Sequence, residues 1–187
     1  MTVIFLDRDG VINENRMDYV KSWQEFQFLP GACEAIARLS SAGHQVVICT
    51  NQAGIATGCL TGELIESIHR RMLYVIEQAG GHVAGIYYCP HGKQAGCDCR
   101  KPRPGLLLRA AQELQLDLTG AVFVGDGLTD IQAALAAGVT PMLVLTGRGK
   151  EQLRQAASII NEPFLVVKDL PMAVSVIGNG KAKGDVC

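Results

Sequence analysis

Val3-Ile4-Phe5-Leu6-Asp7-Arg8-Asp9-Gly10 is an apolar run that ends abruptly in two carboxylates separated by one residue. An unbroken apolar run suits a parallel strand covered on both faces, and open α/β sheets take ligands at the carboxyl ends of such strands. Asp7 and Asp9 are therefore expected at a site. In extended chain, residues i and i+2 project the same way, so the two carboxylates should converge, with Gly10 letting the backbone turn closely around them. Converging carboxylates repel, which favours a bound cation or a raised pKa. An exposed acidic turn after a strand would read the same way.

The rest of the composition narrows the setting. With 187 residues the chain suits one domain, here placed over 1–178, followed by a flexible tail over 179–187. The hydrophobic share is 48%, the charged share 19% and the net charge -1, which argues against disorder, a nucleic-acid partner and a membrane-coating surface. No apolar run approaches the roughly 20 residues that span a bilayer, and the opening segment lacks a signal peptide's charged start and cleavage site. A cytoplasmic, monomeric protein acting on a small molecule is expected. Seven cysteines is an odd count, and Cys89, Cys97 and Cys99 cluster closely, which favours metal over a disulfide framework.

Beyond Gly10, residues 11–29 show no sustained period and read as an ordered loop beside the site. Pro30 opens a helix with Cys33, Ile36, Ala37 and Ser40 on one face and Gly43 as its terminal cap. Gln45 to Cys49 is a second strand, ending in Thr50-Asn51-Gln52; a hydroxyl and backbone amides at a strand's end can hold an anion, although Thr50 could equally be a cap. Thr61 caps the next helix, whose stripe of Ile65, Ile68, Met72, Val75, Ile76 and Ala79 is core packing. Val83 to Cys89, Ala121 to Val124, Met142 to Leu145 and Phe164 to Val167 read as further strands, and Pro104 to Leu114 as a helix. The fourth strand runs into Gly125-Asp126-Gly127-Leu128-Thr129-Asp130, where Thr129 or Asp130 can cap the alanine-rich helix that follows.

One loop is strongly patterned. Cys89-Pro90-His91 and, five residues on, Cys97-Asp98-Cys99 supply four ligands in two short pairs, matching a closed tetrahedral zinc site of the structural kind. Free thiols or a regulatory disulfide are the alternative. Arg100-Lys101-Pro102 follows the last ligand directly, so a clamped loop would aim two cations. Strand and helix alternate throughout, which predicts an α/β, Rossmann-like parallel sheet with helices on both faces. One edge then collects Asp7, Asp9, Thr50, Asp126 and Lys101. A phosphate dianion enters such a cluster only with help, which magnesium and Lys101 would give.

The order Asp7-x-Asp9, Thr50, Lys101, Gly125-Asp126-x-x-x-Asp130 resembles the four motifs of the haloacid dehalogenase superfamily of phosphotransferases. The runs 5–13 and 50–56 and the Cys-Pro-His to Cys-x-Cys-Arg-Lys-Pro loop narrow the resemblance to the heptose bisphosphate phosphatases, across about Val3 to Leu145. Histidinol-phosphate phosphatases share the framework and are the alternative. The resemblance implies a phosphatase of heptose and lipopolysaccharide biosynthesis that removes the 7-phosphate of a sugar bisphosphate. Asp7 would be the nucleophile, Asp9 the acid and then the base, and Thr50, Asn51, Arg100 and Lys101 the phosphate holders. Magnesium would lie on the Asp7 carboxylate, the Asp9 carbonyl and Asp126, with Asp130 in support. No segment is long enough for a large cap domain, so the zinc-bound loop stands in its place and specificity falls to residues 13–20, including Asn13 and Tyr19, to 52–58, including Gln52, and to the zinc loop itself. Two departures stand out: Thr57 where the heptose phosphatases usually carry arginine, and Gly127 where a polar residue usually follows the aspartate. A phosphomutase would need a cap, and a bare zinc module would not need acids at three other strand ends.

Overall fold

The computed structural model describes residues 1–179. Strands β1 (Val3–Leu6), β2 (Gln45–Asn51), β3 (Gly85–Cys89), β4 (Val122–Gly125), β5 (Thr140–Val144) and β6 (Leu165–Val167) form one sheet in the order β3-β2-β1-β4-β5-β6. Every neighbouring pair is parallel. The helices are α1 (Ala32–Ser41), α2 (Gly62–Gln78), α3 (Gly105–Glu113), α4 (Leu128–Ala136), α5 (Gly149–Ile159) and α6 (Leu170–Gly178).

The apolar run that opens the chain is β1, and its alternation divides the core. Ile4 and Leu6 pack with Ile36, Leu39, Ile68, Met72 and Val174 from α1, α2 and α6. Val3 and Phe5 face the other way, onto Leu106, Leu107, Ala133 and Ala134 from α3 and α4. Helices therefore cover both faces, as the strand pattern predicts. The order of strands reverses between β1 and β4, so the two strands that carry Asp7 and Asp126 at their ends flank the crevice where doubly wound sheets bind ligands.

Some boundaries differ from the sequence reading. Gly31, at φ +74°, caps α1, so the helix starts two residues after Pro30 and its buried face is Ala32, Ala35, Ile36 and Leu39 rather than Cys33, Ala37 and Ser40. Along α2, Thr61 is the cap as expected, its Oγ accepting from Leu64 N at 3.1 Å, but His69 joins the buried stripe while Val75 is only half-buried and Ala79 exposed. Strand β5 begins at Thr140 instead of Met142, since Thr140 N donates to Ala121 O at 2.9 Å. The expected tail lies outside the described residues apart from Asn179, which ends α6.

Candidate active site

Asp7 leaves β1 without leaving the sheet: its N–H donates to Val124 O at 2.9 Å, so its side chain stands at the crevice between β1 and β4. The chain then turns at once, the amides of Ile12 and Asn13 converging on Arg8 O at 2.8 and 3.1 Å. That turn keeps Asp9 out of the tight acid group around Asp7, because the i and i+2 rule holds only in extended chain, although both residues line one cleft. The acids gathered with Asp7 are Asp126 and Asp130, each offering an oxygen within 4.8 Å of the others. Lys101 lies among them, its Nζ 2.9 Å from Asp7 Oδ1, 2.7 Å from Asp130 Oδ1 and 2.9 Å from Cys49 O.

Burial dominates the electrostatics here. It raises the Asp7 carboxyl to about 7; Lys101 opposes the rise, while Asp130, Asp126 and Asp9 add to it. Asp126 is raised by burial and then by Asp130, against the pull of Arg148. For Lys101, burial alone would favour the neutral amine, but Asp130 and Asp7 overrule it and hold the ammonium above its ordinary range. Three buried carboxylates face one buried lysine, with the half-exposed Arg148 guanidinium 3.3 Å from Asp126. The surplus negative charge and the all-oxygen donor set fit a hard divalent cation such as magnesium. Glycines leave room for it: a Cβ on Gly10 or Gly147 would stand 2.1 or 2.3 Å from Asp126 Oδ2.

Asp9 has a separate environment. Its oxygens accept from Arg8 Nη2 at 2.9 Å, Asn13 Nδ2 at 2.8 Å and Gln52 Nε2 at 2.9 Å. Burial would raise its pKa, but the Arg8 charge and these hydrogen bonds prevail and lower it. Asn13 and Gln52, expected to meet substrate, thus spend their amides on Asp9, and Asn13 is fully buried. Thr50 is also buried, its Oγ accepting from Gln52 Nε2 at 3.1 Å. Asn51 grips the lysine segment twice: Lys101 N donates to Asn51 Oδ1, and Asn51 Nδ2 to Lys101 O, both at 3.2 Å.

Asp7, Asp9, Thr50, Asn51 and Lys101 share a cleft of about 460 Å³. Tyr19 and Arg100 lie on its wall, Tyr19 in the left-handed region at φ +66°, and Arg100 with its Nη1 donating to His91 O at 3.1 Å. Lys93 and Arg148 line it too. Sequence reasoning assigned roles to neither, nor to Arg8 and His69. Arg148 follows a strand end, a position that could have drawn attention; a lysine in a loop and a histidine in an apolar stripe give no such signal. Of the two departures, Thr57 is exposed and donates to Gly54 O at 3.1 Å, while Gly127 lets Arg148 approach, since a Cβ there would lie 3.3 Å from its Nη2. Thr129 does not cap α4, whereas Asp130 does so from the third position of the helix, as the second arm of a capping box. Gly127 holds the N-cap position, and its N–H donates to Asp130 Oδ2 at 2.9 Å.

Cys89, His91, Cys97 and Cys99 come together as the spacing predicts. Cys99 Sγ is 3.2 Å from Cys89 Sγ and 3.5 Å from Cys97 Sγ, Cys89 Sγ is 3.6 Å from Cys97 Sγ, and His91 Nδ1 is 3.3 Å from Cys99 Sγ. A disulfide needs about 2.05 Å, whereas tetrahedral zinc with bonds of about 2.3 Å keeps sulfurs roughly 3.8 Å apart. These distances are close to the second geometry, and the donor set suits zinc.

Comparison with known proteins agrees with this chemistry. A family model described as HAD-hydrolase-like matches residues 98–173. The D-glycero-beta-D-manno-heptose-1,7-bisphosphate 7-phosphatase of Pseudomonas putida is 45% identical over 170 residues, 91% of this chain and 95% of its own. The enzyme of that name from Bordetella bronchiseptica is 46% identical over 170 residues, 91% of this chain and 94% of its own. A crystal structure of the B. bronchiseptica D,D-heptose 1,7-bisphosphate phosphatase, complexed with magnesium and phosphate, superposes with a TM-score of 0.91 at 42% identity, covering 96% of this chain and 99% of that one. Identity at this level over nine-tenths of both chains, with the fold held in common, places the chain in the haloacid-dehalogenase-like phosphatase family to which these enzymes belong, as a phosphoric monoester hydrolase.

Proposed function

We propose that this phosphatase removes the 7-phosphate of D-glycero-D-manno-heptose 1,7-bisphosphate through an aspartyl-phosphate, in the synthesis of nucleotide-activated heptose for lipopolysaccharide. The observation that carries the mechanism is Asp7, buried at the switch point with Lys101 at 2.9 Å. An Asp7 oxygen attacks phosphorus and the sugar oxygen leaves with a proton from Asp9; water then attacks the acyl phosphate, gives its proton to Asp9 and releases phosphate. Because its neighbours lower the Asp9 pKa, the proton for the first step arrives with the substrate phosphate or is taken up as it binds. Lys101, the Thr50 hydroxyl and the Asn51 amide hold the phosphoryl oxygens, with Arg100 assisting. Magnesium on Asp7, the Asp9 carbonyl and Asp126, supported by Asp130, would neutralise the charge on the transferring group.

The substrate comes from the named relatives, and no observation favours histidinol phosphate. We expect kcat/KM for the heptose bisphosphate to exceed that for histidinol phosphate by roughly 100-fold or more, since sites that hydrogen-bond a polar substrate discriminate strongly. A phosphate-release assay on both compounds decides it; equal or reversed values overturn the assignment. We place the enzyme in the cytoplasm, as a monomer acting on a soluble sugar phosphate. No helix among the described residues is long and apolar enough to cross a membrane.

Zinc, on this reading, serves structure and aim. Cys89 ends β3 and pairs in register with Asn51, while Cys99 precedes Arg100 directly, so the cluster ties the Lys101 segment to the sheet. Cys97→Ser should lose zinc and lower kcat by on the order of 100-fold through misplacement of Lys101, with magnesium dependence retained in what remains. Metal content measured beside kinetics checks this. Wild-type protein that is zinc-free yet fully active would make the cluster incidental.

A further inference from the structure

Arg8 lies between the two motif aspartates, yet it has no exposed surface. Its position continues the alternation of Ile4 and Leu6, which sends its side chain into the layer beneath α2 and away from Asp7. There Nη1 stands 3.1 Å from Nε2 of His69, the buried polar residue on the core face of α2. Nη2 meets both Asp9 oxygens at 2.9 Å and Gln52 Oε1 at 3.3 Å, while Nε has no hydrogen-bond partner.

A guanidinium only donates, so His69 Nε2 must accept, and the imidazole is the neutral tautomer with its proton on Nδ1. Burial and the Arg8 charge suit that form, lowering the His69 pKa to about 3. The ring is held in turn by Tyr88, edge-on at 5.6 Å between centroids. A fully buried cation with one acidic partner and an idle N–H is costly, and an apolar side chain would pack the same space more cheaply. The arrangement makes sense if fixing Asp9 is its purpose.

We propose that His69 and Arg8 are positioning residues for Asp9: His69 fixes the Arg8 fork from below, and the fork fixes the carboxylate in the cleft wall. This rests on the reading of Asp9 as the acid that protonates the leaving oxygen. A sugar alkoxide is a poor leaving group and needs that proton, whereas p-nitrophenolate leaves without it. Misplacing Asp9 therefore penalises the sugar phosphate selectively. The comparison uses kcat/KM, which reports events only as far as the first phosphoryl transfer and is blind to hydrolysis of the aspartyl-phosphate.

The experiment measures kcat/KM for the heptose bisphosphate and for p-nitrophenyl phosphate, in saturating magnesium, for wild type, Asp9→Asn, His69→Leu and His69→Gln. We expect Asp9→Asn to lower the sugar-to-nitrophenyl ratio by about 100-fold, and His69→Leu to lower it by about 10-fold. His69→Gln, which keeps an acceptor for Arg8, should recover most of the ratio. Thermal unfolding serves as the check on folding for each variant, because nitrophenyl turnover still needs Asp9 as the base of the hydrolysis step. A ratio unchanged in His69→Leu, or a Gln variant no better than the Leu variant, overturns the proposal while leaving Asp9 as the acid. An unchanged ratio in Asp9→Asn overturns the reading of Asp9 and this inference with it.

Discussion

Asp7→Asn should give a folded protein whose kcat is lower by on the order of 10⁴-fold or more, because an amide of the same shape cannot form the acyl phosphate. Stability should not fall with activity. In metal-free protein, burial lifts the Asp7 pKa from 3.8 to about 7, so the ionised carboxylate opposes folding, a cost that appears as pH rises above the unfolded pKa and is complete above about 7. Asparagine removes that cost, and Lys101 keeps Asp130 as its partner at 2.7 Å. Kinetics, denaturation without magnesium at pH 8 and a search for phosphorylated protein after quenching check the three parts. Turnover near wild type would remove Asp7 as nucleophile.

Lys101→Met should be the next most damaging change, and here stability falls too. Lys101 is 2% exposed and its ammonium bridges Asp7 and Asp130; without it the three acids are left in a buried site, with Arg148 beside Asp126 at its rim. Breaking a buried pair by deleting one member costs about 3–5 kcal/mol, and losing a charge from the transition-state clamp costs on the order of 100- to 1000-fold in kcat. Excess magnesium should recover part of the melting temperature and little of the rate, because it answers the repulsion without replacing the lysine contact. Near-wild-type kcat in the methionine variant would show that Lys101 serves folding alone.

What could be read in the letters was whatever depends on period and punctuation. Unbroken apolar runs marked the strands, and acids placed directly after them marked the site edge, so Asp7 and Asp126 were legible, as was the clustering of three cysteines and a histidine at short spacing; Asp130, inside α4, read as a cap and entered the site only through the family resemblance. Two of the errors share a cause, which is backbone geometry that leaves the ideal strand or helix within a residue or two. Asp9 separates from Asp7 because the chain turns at Arg8, and α1 starts late because Gly31 takes φ +74°. Asn13 and Gln52 could not be separated from substrate ligands by type, since an amide that orients an acid looks like one that binds a sugar. Arg8 was illegible for a related reason: an arginine between two aspartates reads as solvated, and only the fold shows it entering the core toward His69.

The double grip of Asn51 on Lys101 has a consequence for how such an enzyme can be altered. Both ends of the loop that carries the Cys/His cluster are anchored, one at Cys89 in β3 and the other at Asn51 in β2, so the five residues from 92 to 96 hang between fixed points. Changes of length or side chain there need not propagate to Lys101. Loop closure adds only about 0.6 kcal/mol for each doubling of loop length, so this span is a place where insertions are cheap. Lys93 lies within it and faces the cleft, which makes the hanging span a natural graft site for retuning substrate preference while the reaction chemistry stays as it is.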